Sequence, residues 1–209
     1  MKKQNFSSSI EKIQKNLKKE LPGEKAHQIM EALSAKYLTL KPTEKTRKSA
    51  VLMLLYPIDD EIYFPLILRN SYDGFHSNEV GFPGGRFEET DENLIQTALR
   101  EAQEEIGVNP DEVKVLGELT EIYIGPSDFS VLPVVGYLPH RPDFKPDPRE
   151  VQQIFELKLN SFLDPNIIGC SEISIPGDLV TTPFYKVNGH KVWGATAKII
   201  LELLSVLKL

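Results

Sequence analysis

The chain has 209 residues, 41% of them hydrophobic and 26% charged, ordinary values for a soluble globular protein built as one domain with an elaborated end. Its net charge of -6, from 24 basic and 30 acidic side chains, argues against the basic excess of a nonspecific nucleic-acid binder. A single cysteine, Cys170, excludes an internal disulfide. Met1 to Gly23 carries no apolar run long enough for a signal peptide and no stretch approaches the length of a membrane span, so a reducing, cytoplasmic setting is expected.

In chain order, Ser9 to Lys18 and Lys25 to Tyr37 read as polar amphipathic helices broken at Pro22-Gly23. Lys41 to Lys48 is a basic linker, with Lys41, Lys45, Arg47 and Lys48. It is either a solvated approach to the domain or an anion contact at a site rim. The expected division is a helical extension over 1–46 and a main domain over 47–209. Ser49 to Tyr56 and Glu61 to Arg69 predict strands joined by a turn at Pro57-Ile58-Asp59-Asp60, and a polar, glycine-rich loop runs from Asn70 to Gly85.

Leu94 to Ile106 predicts a helix with an apolar stripe of Leu94, Ile95, Ala98, Leu99, Ala102 and Ile106. Thr90 or Asp91 is its candidate N-cap and Gly107 its stop. Val113 to Ile124 and Val131 to Leu138 are strand candidates, and Glu150 to Leu159 fits a strand or a short helix. Asn188-Gly189 marks a hairpin between Phe184 to Val187 and His190 to Trp193, because both central residues of such a turn need positive φ. Ala195 to Leu207 reads as a terminal amphipathic helix. Strands and helices mix without regular alternation, which predicts an α+β fold or a mixed-sheet sandwich.

Chemistry concentrates in the acid-rich stretch around Glu89 to Glu105. Glu101, Glu104 and Glu105 stand at i, i+3 and i+4, on one helical face beside the apolar stripe. Like charges at that spacing cost a helix about 0.2–0.5 kcal/mol per pair. A divalent cation removes the penalty, and hard oxygen donors suit Mg²⁺ or Mn²⁺. A solvated charged face is the plain alternative. Just upstream, Gly84-Gly85 is either a tight turn or a backbone that approaches a phosphate or offers a carbonyl to a metal.

The segment from Gly84-Gly85-Arg86 through Arg100-Glu101-Ala102-Gln103-Glu104-Glu105-Ile106-Gly107-Val108 resembles the Nudix box. That box has a glycine, an acid after a short loop, then Arg-Glu-U-x-Glu-Glu-x-Gly-U with U bulky and apolar. Ala102 is small where U stands, and six residues separate Gly85 from Glu92, one more than the pattern. Asp91 and Glu92 are therefore both candidates for the first acidic position.

Leu68-Arg69-Asn70-Ser71, His76, Val80 and Phe82-Pro83-Gly84-Gly85 are similar to the upstream signature of the coenzyme A pyrophosphatases. So are Thr97 to Ala102, Phe162-Leu163-Asp164-Pro165 and Gly189 to Ala197. Asn78 stands where that subfamily usually has glycine, and the Leu-Arg expected before the histidine is not matched near Gly74-Phe75.

The resemblance implies a Nudix-type α/β/α sandwich with a mixed sheet and an N-terminal helical extension. It implies a metal-dependent hydrolase that cleaves coenzyme A or a derivative to adenosine bisphosphate and a phosphopantetheine. Glu101, Glu104, Glu105 and the Gly84 carbonyl are the implied ligands of Mg²⁺ or Mn²⁺. Arg100 is expected to hold the carboxylates rather than touch substrate. Arg47, Arg69, His76, Gly84, Gly85 and Arg86 are the candidate substrate contacts, and Glu150 is a candidate general base or extra metal ligand.

Trp193 reads as core and Cys170 as chemically idle. The partner expected is a small-molecule diphosphate, with no nucleic acid and no membrane, and a homodimer is allowed for. The rivals are a Nudix diphosphatase for another nucleoside diphosphate derivative and an inactive Nudix-fold binding module. The intact glutamate set argues against the last.

Overall fold

The computed structural model describes residues 5–30, 40–71, 76–175 and 178–208. Helix α1 (Phe6–Asn16) is capped by the Asn5 side chain, which accepts from the Ser8 N–H. Helix α2 (Glu24–His27) follows, then a 3-10 turn over Gln28–Met30. The rest of the helix expected to Tyr37 lies outside the described residues.

Strand β1 (Arg47–Ile58) is the spine. It returns through a hairpin into β2 (Glu61–Arg69), with Tyr56 opposite Tyr63 and positive φ at Asp59 and Asp60. The loop expected from Asn70 to Gly85 contains two short strands, β3 (Val80–Gly81) on β2 and β4 (Gly84–Arg86) on the start of β1. Helix α3 (Leu94–Ile106) comes next.

One strand was expected over Val113 to Ile124. The chain instead forms β5 (Lys114–Glu118) and β6 (Ile122–Ile124). The register shifts between Val115 and Gly117, and the Thr120 N–H and hydroxyl turn to the Glu202 carboxylate at 3.3 and 2.6 Å rather than into the ladder. Both strands pair antiparallel with β7 (Phe129–Tyr137), which itself runs parallel to β1.

Strand β8 (Val151–Lys158) settles the alternatives at Glu150 to Leu159 and pairs with β2. A separate three-stranded sheet contains β9 (Ile168–Ile175), absent from the sequence reading, β10 (Asp178–Val187) and β11 (His190–Val192). Its second turn carries Asn188 at φ 47° and Gly189 at φ 84°, as the hairpin signal requires. Helix α4 (Gly194–Lys208) ends the fold.

The eight-stranded mixed sheet is apolar on both faces, and β1 shows why its sequence is an almost unbroken apolar run. Ala50, Leu52, Leu54 and Tyr56 face Ala98, Ala102 and Ile106 of α3. Met53 and Leu55 face the opposite cluster, which contains Phe6, Ile10 and Ile13 of α1 and Ile200, Leu203 and Leu204 of α4. That alternation is the period-2 signature of a strand between two helical layers. The N-terminal helices are fastened to α4 by Asn16 Nδ2 donating to the Val206 carbonyl at 2.9 Å and by a buried His27–Glu202 contact at 2.8 Å.

Candidate active site

Helix α3 brings its acids to β4 because its inner face is small. Ala98 and Ala102 are fully buried against β1, so the alanine at the otherwise bulky position lets the helix lie close to the sheet. Its N-cap is Asn93, which accepts from the Gln96 N–H at 3.0 Å, and not Thr90 or Asp91. Asp91 is diverted. Its carboxylate accepts from Thr97 Oγ1 at 2.9 Å, the Glu88 N–H at 3.1 Å, and Arg100 Nε and Nη2 at 2.9 and 3.0 Å. Gly107 ends the helix at φ 72° as expected.

Of the two acids competing for the first position, Asp91 is buried in the loop against the helix and Glu92 is exposed. The two-pronged hydrogen bond from Arg100 is the main reason the Asp91 carboxyl is held down at about 2. Arg100 also reaches Glu101 at 2.9 Å, Glu104 at 3.1 Å and the Arg86 carbonyl at 3.0 Å. One guanidinium thus ties the loop to two helix carboxylates.

Glu105 is 1% exposed. It accepts from the Gly84 N–H at 2.8 Å and from Arg69 Nη1 at 2.6 Å, while Arg69 Nη2 donates to the Gly84 carbonyl at 2.7 Å. Burial pushes the Glu105 carboxyl up to about 7, against the opposing pull of Arg69 and the Gly84 N–H. Burial also raises Glu101, countered by Arg100. Perturbed carboxyls of this kind gather at functional sites.

Both glycines are sterically required. At Gly84, φ is 153° and a Cβ would stand 2.4 Å from the Ala50 carbonyl; at Gly85 it would stand 2.5 Å from the Glu101 carboxylate. Among the described residues, no three His, Cys, Asp or Glu side chains are gathered into a ready metal cage. The acids are drawn to Arg69 and Arg100 instead. The donor chemistry still fits a hard divalent cation: Glu101 abuts the side-chain-free backbone of Gly85, and the Glu104 side chain is 56% exposed beside it.

A cavity of about 290 Å³ opens beside Gly84-Gly85, with Arg69, His76, Phe82, Arg86, Phe129 and Trp193 among its walls. Trp193, expected in the core, is only half-buried and lines this space. His76, at φ 67°, bridges two loops through Glu79 at 2.9 Å and the Ser127 hydroxyl at 3.2 Å. Asn78 replaces the expected glycine at φ 57°, a left-handed conformation that asparagine tolerates, so the backbone path is compatible with either residue. Gly74 and Phe75 lie outside the described residues.

The fold therefore gathers Glu101, Glu104, Glu105, Arg100, Gly84, Gly85, Arg69, Arg86 and His76. It leaves two candidates aside. Arg47 stacks over Phe129, 4.1 Å from the ring centroid, and donates to the Ser127 carbonyl without lining the cavity. Glu150 is exposed and outside the lining, with its carbonyl accepting from the Asn70 N–H at 3.0 Å. Sequence reasoning passed over Glu79, Ser127 and Phe129. Glu79 and Ser127 sit in turns without periodic signal and Phe129 opens β7, and only pairing across the sheet brings them together.

Residues 46–169 match the NUDIX domain. The chain is 39% identical over 168 residues to a Pectobacterium atrosepticum protein named uncharacterized Nudix hydrolase NudL, covering 79% of this chain and 85% of that one. It is 35% identical over 132 residues to the Mus musculus peroxisomal coenzyme A diphosphatase NUDT7, covering 63% of this chain and 56% of the mouse protein. The match thus spans little more than half of the mouse protein. A crystal structure of a MutT/nudix family protein from Enterococcus faecalis superposes with TM-score 0.52 at 15% identity, over 90% of this chain and 74% of that one. This likeness concerns the fold.

Proposed function

The chain belongs to the Nudix hydrolase family, and from that premise we propose that it is a Mg²⁺- or Mn²⁺-dependent diphosphatase acting on coenzyme A or a derivative. The products are adenosine bisphosphate and a phosphopantetheine. The observation that carries the chemistry is the meeting of Glu101, Glu104 and Glu105 with the Gly84-Gly85 turn beside the cavity. Divalent metals are general to this family. When bound, such a cation offsets the charge of the diphosphate and lowers the pKa of a coordinated water.

Glu101, Glu104, Glu105 and the Gly84 carbonyl are the groups that would hold it. Arg100 keeps Glu101 and Glu104 side by side, and Gly85 gives phosphate oxygens a close approach to the backbone. Arg86, exposed on the cavity wall, offers a planar two-pronged partner for phosphate. His76 steadies the loop that walls the cavity.

Coenzyme A is favoured by the resemblance of Arg69 to Gly85 and by the cavity wall. Phe82, Phe129, Val131 and Trp193 present apolar surface, suited to an arm longer and less charged than a chain of phosphates. The test is hydrolysis with Mg²⁺ across coenzyme A, ATP, ADP-ribose and a dinucleoside polyphosphate, with products separated by chromatography. Phosphopantetheine should appear in step with adenosine bisphosphate. Turnover of another diphosphate with coenzyme A intact would assign a different substrate. No turnover of any would make the chain a binding module.

A further inference from the structure

Arg69 ends β2, well outside the acidic helix, and its two terminal nitrogens are both engaged inside the protein. Nη1 meets Glu105 Oε1 at 2.6 Å, Nη2 meets the Gly84 carbonyl at 2.7 Å, and the Gly84 N–H returns to Glu105 Oε2 at 2.8 Å. The three groups close a ring joining β2, β4 and α3. We propose that Arg69 is a positioning residue that locks the Glu105 carboxylate to the Gly84 peptide, rather than a residue that binds substrate. This rests on the diphosphatase reading above and specifies how its carboxylate helix is set against its glycine turn.

The side chain of Arg69 is 22% exposed and that of Glu105 is 1% exposed. To grip a phosphate with that fork, Arg69 would have to release a buried carboxylate, and a buried charge that loses its partner is strongly destabilised. The planar fork also suits two acceptors held side by side, which a lysine cannot match. Slack at Gly84 would pass directly to Gly85, whose Cβ position lies 2.5 Å from the Glu101 carboxylate. The ring thus sets the spacing of Glu101 as well as Glu105 from the turn.

The test uses the full chain with Arg69→Gln, Arg69→Lys, Glu105→Gln and the Arg69→Gln/Glu105→Gln double variant. Melting first establishes that each is folded. Steady-state kinetics use the diphosphate that the wild type hydrolyses, and calorimetric titration measures Mn²⁺ binding to substrate-free protein. Arg69→Gln should lower kcat about 10–100-fold and weaken Mn²⁺ binding on a similar scale, with KM nearly unchanged. Arg69→Lys should recover only part of the loss, and the double variant should be little worse than Glu105→Gln alone.

A raised KM with kcat and Mn²⁺ binding intact would make Arg69 a substrate ligand and overturn the proposal. Unaltered behaviour or full rescue by lysine would also overturn it. Tighter Mn²⁺ binding in Arg69→Gln would overturn it too, by showing that the guanidinium competes with the cation. If Arg69→Gln does not fold, the same measurements on Arg69→Lys decide. If the wild type hydrolyses no diphosphate, the functional reading fails, and the Mn²⁺ titrations of the same variants still judge the ring.

Discussion

Asp91→Asn isolates the anchor of the site. The Asp91 carboxylate receives four hydrogen bonds, two of them from Arg100. Asparagine removes the charge and turns an NH₂ group toward donors. The carboxyl is held at about 2 against an ordinary 3.8, so ionisation contributes roughly 2 kcal/mol at neutral pH, discounted slightly because the Arg100 side chain is 19% exposed.

In a chain of 209 residues that loss lowers the melting temperature by roughly 4–8 °C. The folded value lies below the unfolded one, so the contribution is full above 3.8 and lost as the pH falls through about 2. The gap between variant and wild type should narrow in acid. Freed from Asp91, the Arg100 fork no longer fixes Glu101 and Glu104, and kcat should fall about 10–100-fold. Glu92→Gln, at an exposed position, is the matched control and should stay within about 0.5 kcal/mol of wild type. Melting and turnover of both variants decide the matter. Equal behaviour, or damage confined to Glu92→Gln, would refute the assignment of the anchoring acid to Asp91.

Mn²⁺ at 100 times its dissociation constant should stabilise the wild type by about 2.7 kcal/mol, because the cation binds only the folded protein. The combined Glu101→Gln, Glu104→Gln and Glu105→Gln variant should lose that response in thermal melts, and an equal shift in both proteins would place the cation elsewhere. In chelator, Glu105 should make stability fall as the pH rises. Its folded carboxyl, raised chiefly by burial to about 7 from 4.5, keeps a proton that the unfolded chain has already released. The penalty is absent below 4.5 and reaches on the order of 3 kcal/mol above about 7. Subtracting the profile of Glu105→Gln from that of the wild type should reveal this slope, and a flat difference would contradict it.

The legible parts of the fold are those whose cause is local. The apolar run of β1, the stripe of α3, its Gly107 stop and the Asn188-Gly189 turn each rest on residues within a few positions of one another. The spacing of Glu101, Glu104 and Glu105 is of the same kind. Strands β3 and β4 are not. They are two and three residues long, and they exist because β2 and β1 offer them ladders. At the split of Val113 to Ile124, likewise, Thr120 is held out of the ladder by Glu202, far along the chain.

The same distinction separates the arginines. The resemblance implies a holding role for Arg100, whose partners Glu101 and Glu104 are its neighbours on the helix, whereas it makes Arg47 and Arg69 candidate substrate contacts. The acceptors that engage them are distant: Ser127 for Arg47, and Glu105 and Gly84 for Arg69. A guanidinium fork is defined by its two acceptors, and for Arg69 these are brought together only when β4 pairs with β1 and α3 packs across it. The one-residue slack before the acidic helix belongs to both classes. It was visible in the sequence as a choice between Asp91 and Glu92, and the burial of Arg100 against the loop selects the acid that faces inward.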